Sequence, residues 1–531
     1  MKKYLAALLL VLTAMPGISS DKYKREPFLD IINYSFTVSV SDTSDIIYAK
    51  AEIQVLIKNT ADSMIFDLRN QDQDGIGMKT DSVIFSKGKI RWVHINNKLI
   101  VVADKKLGKG ATGIIRIVYH GIPADGLIIS RNKFGERTFF SDNWPNRAFN
   151  YLPCIDHPYD KATVDFYVIA PSHYVVVGSG CLIEESHLEG NRKITHWKES
   201  VPLATKVMAF GAADFDFVLA GTVDTIPVWT YVFDKNREKG FNDYSAGVKP
   251  LSFFTSLIGP YSYEKLANVQ SKTIFGGLEN AGCIFYSEKS VTGLGNDEAL
   301  MAHEIAHQWF GNSVTENDWN HIWLSEGFAT YLTAVYMEMT YGKERLDRIM
   351  KSDRNRVINF YLSSPAPVVD TTIHNLMDLL NVNSYQKGSW VLHMLRNELG
   401  DETFWRGIKL YYQRFRNQNA MTADFQKVME EVSGKNLDIF FRQWLYLPGQ
   451  PDLSVKSRIS GEKDQSEVII EQKQSQLFNF PIELVIKGKR GDLHEKVQVT
   501  DRVTKIIVPT GQIDEIIPDP ETRLLFRIIK E

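Results

Sequence analysis

The sequence predicts a multidomain α+β protein: an N-terminal antiparallel β domain, a mostly helical middle domain and a small C-terminal β sandwich. At 531 residues the chain is too long for one hydrophobic core. Apolar residues first alternate with polar ones, then recur at helical spacing, then alternate again to the end. The period changes near Ala220-Gly221 and at the breaker run Pro448-Gly449-Gln450-Pro451, which sets the domains at 21–218, 219–446 and 447–531.

Residues 1–20 differ in kind. Lys2 and Lys3 precede the apolar run 5–12, and Gly17, Ser19 and Ser20 follow it, the pattern of a cleaved signal peptide. The run is too short to span a bilayer, so the expectation is export to a periplasm or the extracellular medium without a stable membrane anchor. Strands follow at Phe36, Val38 and Val40, at Ile53, Val55 and Ile57, and at Ile115, Ile117 and Tyr119, with turns at Asp74-Gly75, Asn96-Asn97 and Ala124-Asp125-Gly126. Leu251, Phe254, Leu257 and Ile258 share a helical face before Gly259-Pro260 stops it. Asn296 or Asp297 is placed to cap the helix carrying His303 to Trp309, and Gly311-Asn312 to end it. Further helices are expected at about 326–341, 343–361, 385–399, 401–416, 422–432 and 437–446. Behind the breaker, Val468 and Ile470, Ile482, Leu484 and Ile486, and Val497 and Val499 read as sandwich strands.

A formal net charge of -3 leaves no electrostatic footprint for nucleic acid, and Lys487-Gly488-Lys489-Arg490 reads as a solvated hairpin turn. Cys154, Cys181 and Cys283 are an odd set with no C-x-x-C spacing, which implies neither a disulfide framework nor a cysteine-ligated zinc.

The chemistry is concentrated in His303-Glu304-Ile305-Ala306-His307. Residues four apart share a helix face, so His303 and His307 can offer two imidazole nitrogens to one metal ion, with Glu304 at its edge. A hydrolytic zinc site needs a third protein ligand and an open position. Glu326 opens the next expected helix, with eighteen residues between it and His307, and supplies that carboxylate. Glu304 is then free to act as general acid and base.

With Gly276-Gly277-Leu278-Glu279-Asn280 upstream and Tyr385-Gln386-Lys387-Gly388 downstream, the chain resembles the gluzincin aminopeptidases related to aminopeptidase N and leukotriene hydrolase. Leu152 to Pro158 and Phe441-Arg442-Gln443-Trp444 extend the resemblance over most of residues 21–450. It implies a thermolysin-like catalytic domain, one zinc ion and peptide substrates with a free N-terminus. It also implies that Gly276, Gly277, Glu279 and Asn280 form a substrate-binding edge strand on which Glu279 holds the α-amine, and that Tyr385 stabilises the oxyanion. Leu278 replaces the family's usual methionine. The glutamines that help line the family's first side-chain pocket are not evident in residues 141–147, and the chain reads as a short form without the helical C-terminal domain of larger members. Two other readings remain open at this level: a gluzincin endopeptidase, in which Glu279 is incidental, and an inactive peptide-binding member of the same fold. The sequence does not define an oligomeric state.

Overall fold

The computed structural model describes residues 21–460, 464–489 and 491–529. The expected signal peptide, 1–20, lies outside them. Period-two alternation becomes burial as anticipated: Phe36, Val38, Ile53, Val55, Ile115 and Ile117 are all at most 1% exposed. They line a seven-stranded sheet whose order is Cys181–Leu188, Arg192–Leu203, Ala162–Pro171, Leu29–Ser39, Ile47–Ile57, Thr112–Ile122, Gly77–Phe85. One pairing departs from the antiparallel expectation, because Leu29–Ser39 runs parallel to Ala162–Pro171. The long connection between them, which passes through two smaller sheets, permits that crossing.

The expected boundary at 218/219 falls inside a strand. Phe215–Val223 pairs with Ile226–Phe233 at the edge of a five-stranded sheet that continues through Leu266–Ser271 and Cys283–Ser287 to Gly277–Leu278. Its three middle strands are parallel and its last is antiparallel. Against it pack α1 (Arg237–Tyr244), α2 (Val248–Leu257) and α3 (Glu298–Ala306), and on α3 builds a helical layer of α4 (Trp323–Tyr341), α5 (Lys343–Ser363), α6 (Gly388–Leu399), α7 (Asp401–Phe415), α8 (Thr422–Ser433) and α9 (Asp438–Leu445). Asp297 stands at the N-cap of α3 without a capping hydrogen bond. α4 starts earlier than expected, because Asp318 caps a 3-10 turn, Trp319–His321, that runs straight into it.

The C-terminal region holds a four-stranded and a three-stranded sheet, with Val468, Ile470, Ile482, Ile486 and Val499 buried between. It docks on the helices through the Arg354–Asp519 ion pair and reciprocal Gln443–Asn479 hydrogen bonds of 2.8 and 2.9 Å. The N-terminal domain is tied to the helical one by a buried Lys206–Glu316 pair. All three cysteines are free thiols, and no helix among the described residues is long and apolar enough to cross a membrane.

Candidate metal and substrate site

Two helices carry the metal donors. His303 lies in the last turn of α3 and His307 just beyond it, so both imidazoles leave one face; Glu326 projects from the first turn of α4. The chain can turn back between them because Gly311 has φ +121°, and a Cβ there would lie 2.3 Å from Ser325 Oγ. That close approach puts Ser325 Oγ 3.1 Å from His307 Nδ1, with the Phe310 carbonyl at 3.3 Å, and leaves His307 Nε2 aimed at the other donors.

His303 Nε2 and His307 Nε2 are 3.1 Å apart, and they lie 3.5 and 3.3 Å from Glu326 Oε2. A triangle with these edges fits three corners of a tetrahedron whose centre is about 2.0 Å from each atom, the zinc–imidazole and zinc–carboxylate distance. The donor set therefore fits zinc and leaves one corner open. Electrostatics agree, since Glu279, Glu304 and Glu326 converge here, all at most 5% exposed. Burial pushes the Glu326 carboxyl up, but the two imidazoles outweigh it and hold the group well below the ordinary carboxylate range. Burial lowers His307, yet the adjoining Glu326 carries it up to about 9. Glu304 is raised well above its ordinary value, by burial first, with His307 opposing and Glu279 and Glu326 reinforcing.

The Gly277–Leu278 strand forms the opposite wall. It pairs with Phe285 and Tyr286 on one side, and its outer edge carries no strand among the described residues. A Cβ at Gly277 would lie 2.3 Å from Glu304 Oε1, so only glycine lets the strand approach that carboxylate. Residues following the histidine motif hold the strand's end: Gln308 Nε2 and Asn312 Nδ2 donate to the Glu279 carbonyl at 3.0 and 2.5 Å. The Glu279 side chain lines the cleft, and its Oε1 is buried without a hydrogen-bond partner.

Tyr385 arrives on a π-helical turn, Asn383–Lys387, closed by a 2.9 Å bond from Lys387 N–H to the Val382 carbonyl. Its ring lies parallel to that of His303, 6.1 Å between centroids. A glycine contact sets this distance: a Cβ on Gly327 would meet Gly388 Cα at 2.9 Å, so α4 and α6 touch backbone to backbone beside Glu326 and Tyr385. Burial first, and the carboxylates second, raise the Tyr385 phenol well above its ordinary value, which keeps it a hydrogen-bond donor.

Of the residues singled out in the sequence, His303, Glu304, His307, Glu326, Gly277, Glu279 and Tyr385 surround one cavity of about 40 Å³. Gly276 lines the larger cleft that continues from it. Asn280 is wholly buried behind the strand and lines neither. Leu278 lines the small cavity as well, and Trp144, Phe275 and Leu380, which carry no motif that marks them in the sequence, complete it. Trp144 belongs to the stretch whose glutamines were missing. It stands edge-on to Phe275 at 6.0 Å, while Asp142 anchors the same loop by accepting from Thr273 Oγ1 at 3.0 Å.

This fold and donor set define a metallopeptidase-type site. The Peptidase M1 N-terminal domain model matches residues 31–207 and the Peptidase family M1 domain model matches residues 244–444, so that together they cover more than half of the chain. The chain belongs to peptidase family M1. It is 26% identical over 473 residues to Aminopeptidase M1 of Arabidopsis thaliana, covering 82% of this chain and 53% of that protein. It is 28% identical over 345 residues to Endoplasmic reticulum aminopeptidase 2 of Homo sapiens, covering 62% and 35%. The chain thus spans about half the length, or less, of these curated relatives. The M1 zinc metallopeptidase from Deinococcus radiodurans shares the fold, with a TM-score of 0.69 at 23% identity over 80% of this chain and 94% of that one. A mutant of it bound to the substrate Tyr-Ser-Ala gives a TM-score of 0.70 over 80% and 96%.

Proposed function

We propose that the chain is a zinc-dependent aminopeptidase that hydrolyses the N-terminal peptide bond of peptides, with one ion held by His303, His307 and Glu326. The observation that carries this reading is the open Glu279 Oε1 beside the donor set. A buried carboxylate oxygen without a partner is costly until a cation meets it, and a peptide's α-ammonium is such a cation. An amine held there leaves only the first peptide bond beside the donors, which sets exopeptidase register. The relatives' names, and the tripeptide bound to the Deinococcus enzyme, support the same substrate class.

Zinc in such a donor set supplies an acidified water and a Lewis acid for the carbonyl. Glu304 takes the proton of the attacking water and delivers it to the leaving amine. Tyr385 donates its phenol hydrogen bond to the carbonyl oxygen as charge builds on it. The unpaired edge of Gly276 and Gly277 offers main-chain groups to an extended substrate. Trp144, Phe275, Leu278 and Leu380 supply the apolar part of the cavity wall, against which an apolar first side chain can pack. Export rests on the sequence of residues 1–20 and is tested by the N-terminus of the mature protein.

The decisive experiment compares a peptide with its N-acetylated twin, using wild type and Glu304→Gln. Release of the first residue from the free peptide alone, abolished in Glu304→Gln with zinc retained, is expected. Equal cleavage of both peptides would overturn the reading in favour of an endopeptidase.

A further inference from the structure

Beyond the metal donors the cleft widens into a cavity of about 680 Å³ that shares Phe275, Gly277, His303, Glu304 and Tyr385 with the inner one. Its far wall is α5. Arg345, Arg348, Ser352 and Arg356 follow one another at spacings of three and four residues and therefore share a helix face, and all four line this cavity. All four are exposed. Arg345 and Arg348 make no ion pair among the described residues, and Arg356 reaches only Asp353, at 4.0 Å. Asp353 is the one carboxylate that α5 gives to this cavity, and it is only 6% exposed, against three exposed guanidinium groups.

The cleft is therefore bipolar. Carboxylates cluster at the metal end, and unpaired guanidinium groups lie at the other. An extended peptide whose ammonium sits at Glu279 runs past the donors toward α5 and presents the opposite polarity, positive at its first residue and negative at its last. We infer that Arg345 and Arg348 bind the free C-terminal carboxylate of short peptides, so that the enzyme reads both ends of its substrate. This rests on the aminopeptidase reading above. Guanidinium groups suit the task, since they form paired charge-assisted hydrogen bonds with a carboxylate. They lie away from the scissile bond, so the benefit falls on binding and appears mainly in KM.

The test measures kcat/KM for a tripeptide as its free acid and as its C-terminal amide. Wild type should prefer the acid by about tenfold, mainly through KM, with the preference shrinking as salt rises. Arg345→Glu/Arg348→Glu should bring the ratio to one or below. Equal rates for acid and amide in wild type overturn the inference and leave the aminopeptidase reading intact, whereas failure to cleave either peptide sinks both. A third substrate, amidated but carrying an internal glutamate, separates the two sources of carboxylate. Preference that follows the internal side chain overturns the assignment to the chain end.

Discussion

Replacing Gly277 by alanine tests the placement of Glu304 without touching a metal ligand. The added Cβ would lie 2.3, 2.4 and 2.6 Å from Glu304 Oε1, Cδ and Cγ, against about 3.5 Å or more for an ordinary contact. The strand cannot retreat easily, since Gly277 and Leu278 are paired with Tyr286 and Phe285 and the Glu279 carbonyl is held by Gln308 and Asn312. Glu304 must therefore move by about an ångström. A shift of that size costs about 10²-fold in rate, and complete loss of a general acid–base about 10²- to 10⁴-fold. Gly277→Ala should thus lower kcat on a fluorogenic aminoacyl substrate by 10² or more on this scale, while zinc content and melting temperature stay near wild type. A kcat within about threefold of wild type, with zinc retained, would refute the claim that Glu304 acts from the position this strand permits.

Three further outcomes follow from the same geometry. Tyr385→Phe should lower kcat with KM little changed, by about 2.7 to 4 kcal/mol of barrier, read in steady-state kinetics. Gly388→Ala sets a Cβ 3.0 Å from Gly327 Cα; overpacking of this kind costs about 1 to 3 kcal/mol in denaturant melts, with a loss of kcat as Tyr385 shifts. His393 on α6 links to the C-terminal region by donating from Nε2 to the Thr522 carbonyl at 2.9 Å, while Nδ1 accepts from the Tyr331 hydroxyl. Burial lowers its pKa from 6.5 to about 4, so between those values the unfolded chain binds more protons than the folded one. Stability should therefore fall as pH drops from 6.5 to 4, by about 3 kcal/mol, and His393→Gln should flatten that slope in melts taken across the range.

What was legible in the sequence was whatever depends on local spacing. His303 and His307 share a face because four residues make about one helical turn, and Glu326 falls in the first turn of the next helix. Alternation marked the strands but not their partners, which is why the parallel pairing of Leu29–Ser39 with Ala162–Pro171 was not foreseen. For the same reason Phe215–Val223 could not be assigned to either domain by pattern alone: a strand's period states which face is buried, not which sheet it joins. Trp144, Phe275 and Leu380 reach the cavity from three separate segments, and only tertiary packing brings them together.

The glycines show how such packing becomes function. In the sequence Gly277, Gly327 and Gly388 are parts of motifs whose conspicuous members are Glu279, Glu326 and Tyr385. In the structure each missing side chain sets a distance at the site: strand to Glu304 at Gly277, and α4 to α6 at the Gly327–Gly388 contact. A donor or a base is specified by its own chemistry, but its position is specified by how closely the neighbouring backbone can approach. Substitutions at these glycines should therefore resemble losses of the functional side chains beside them, with the metal still bound and the fold still formed.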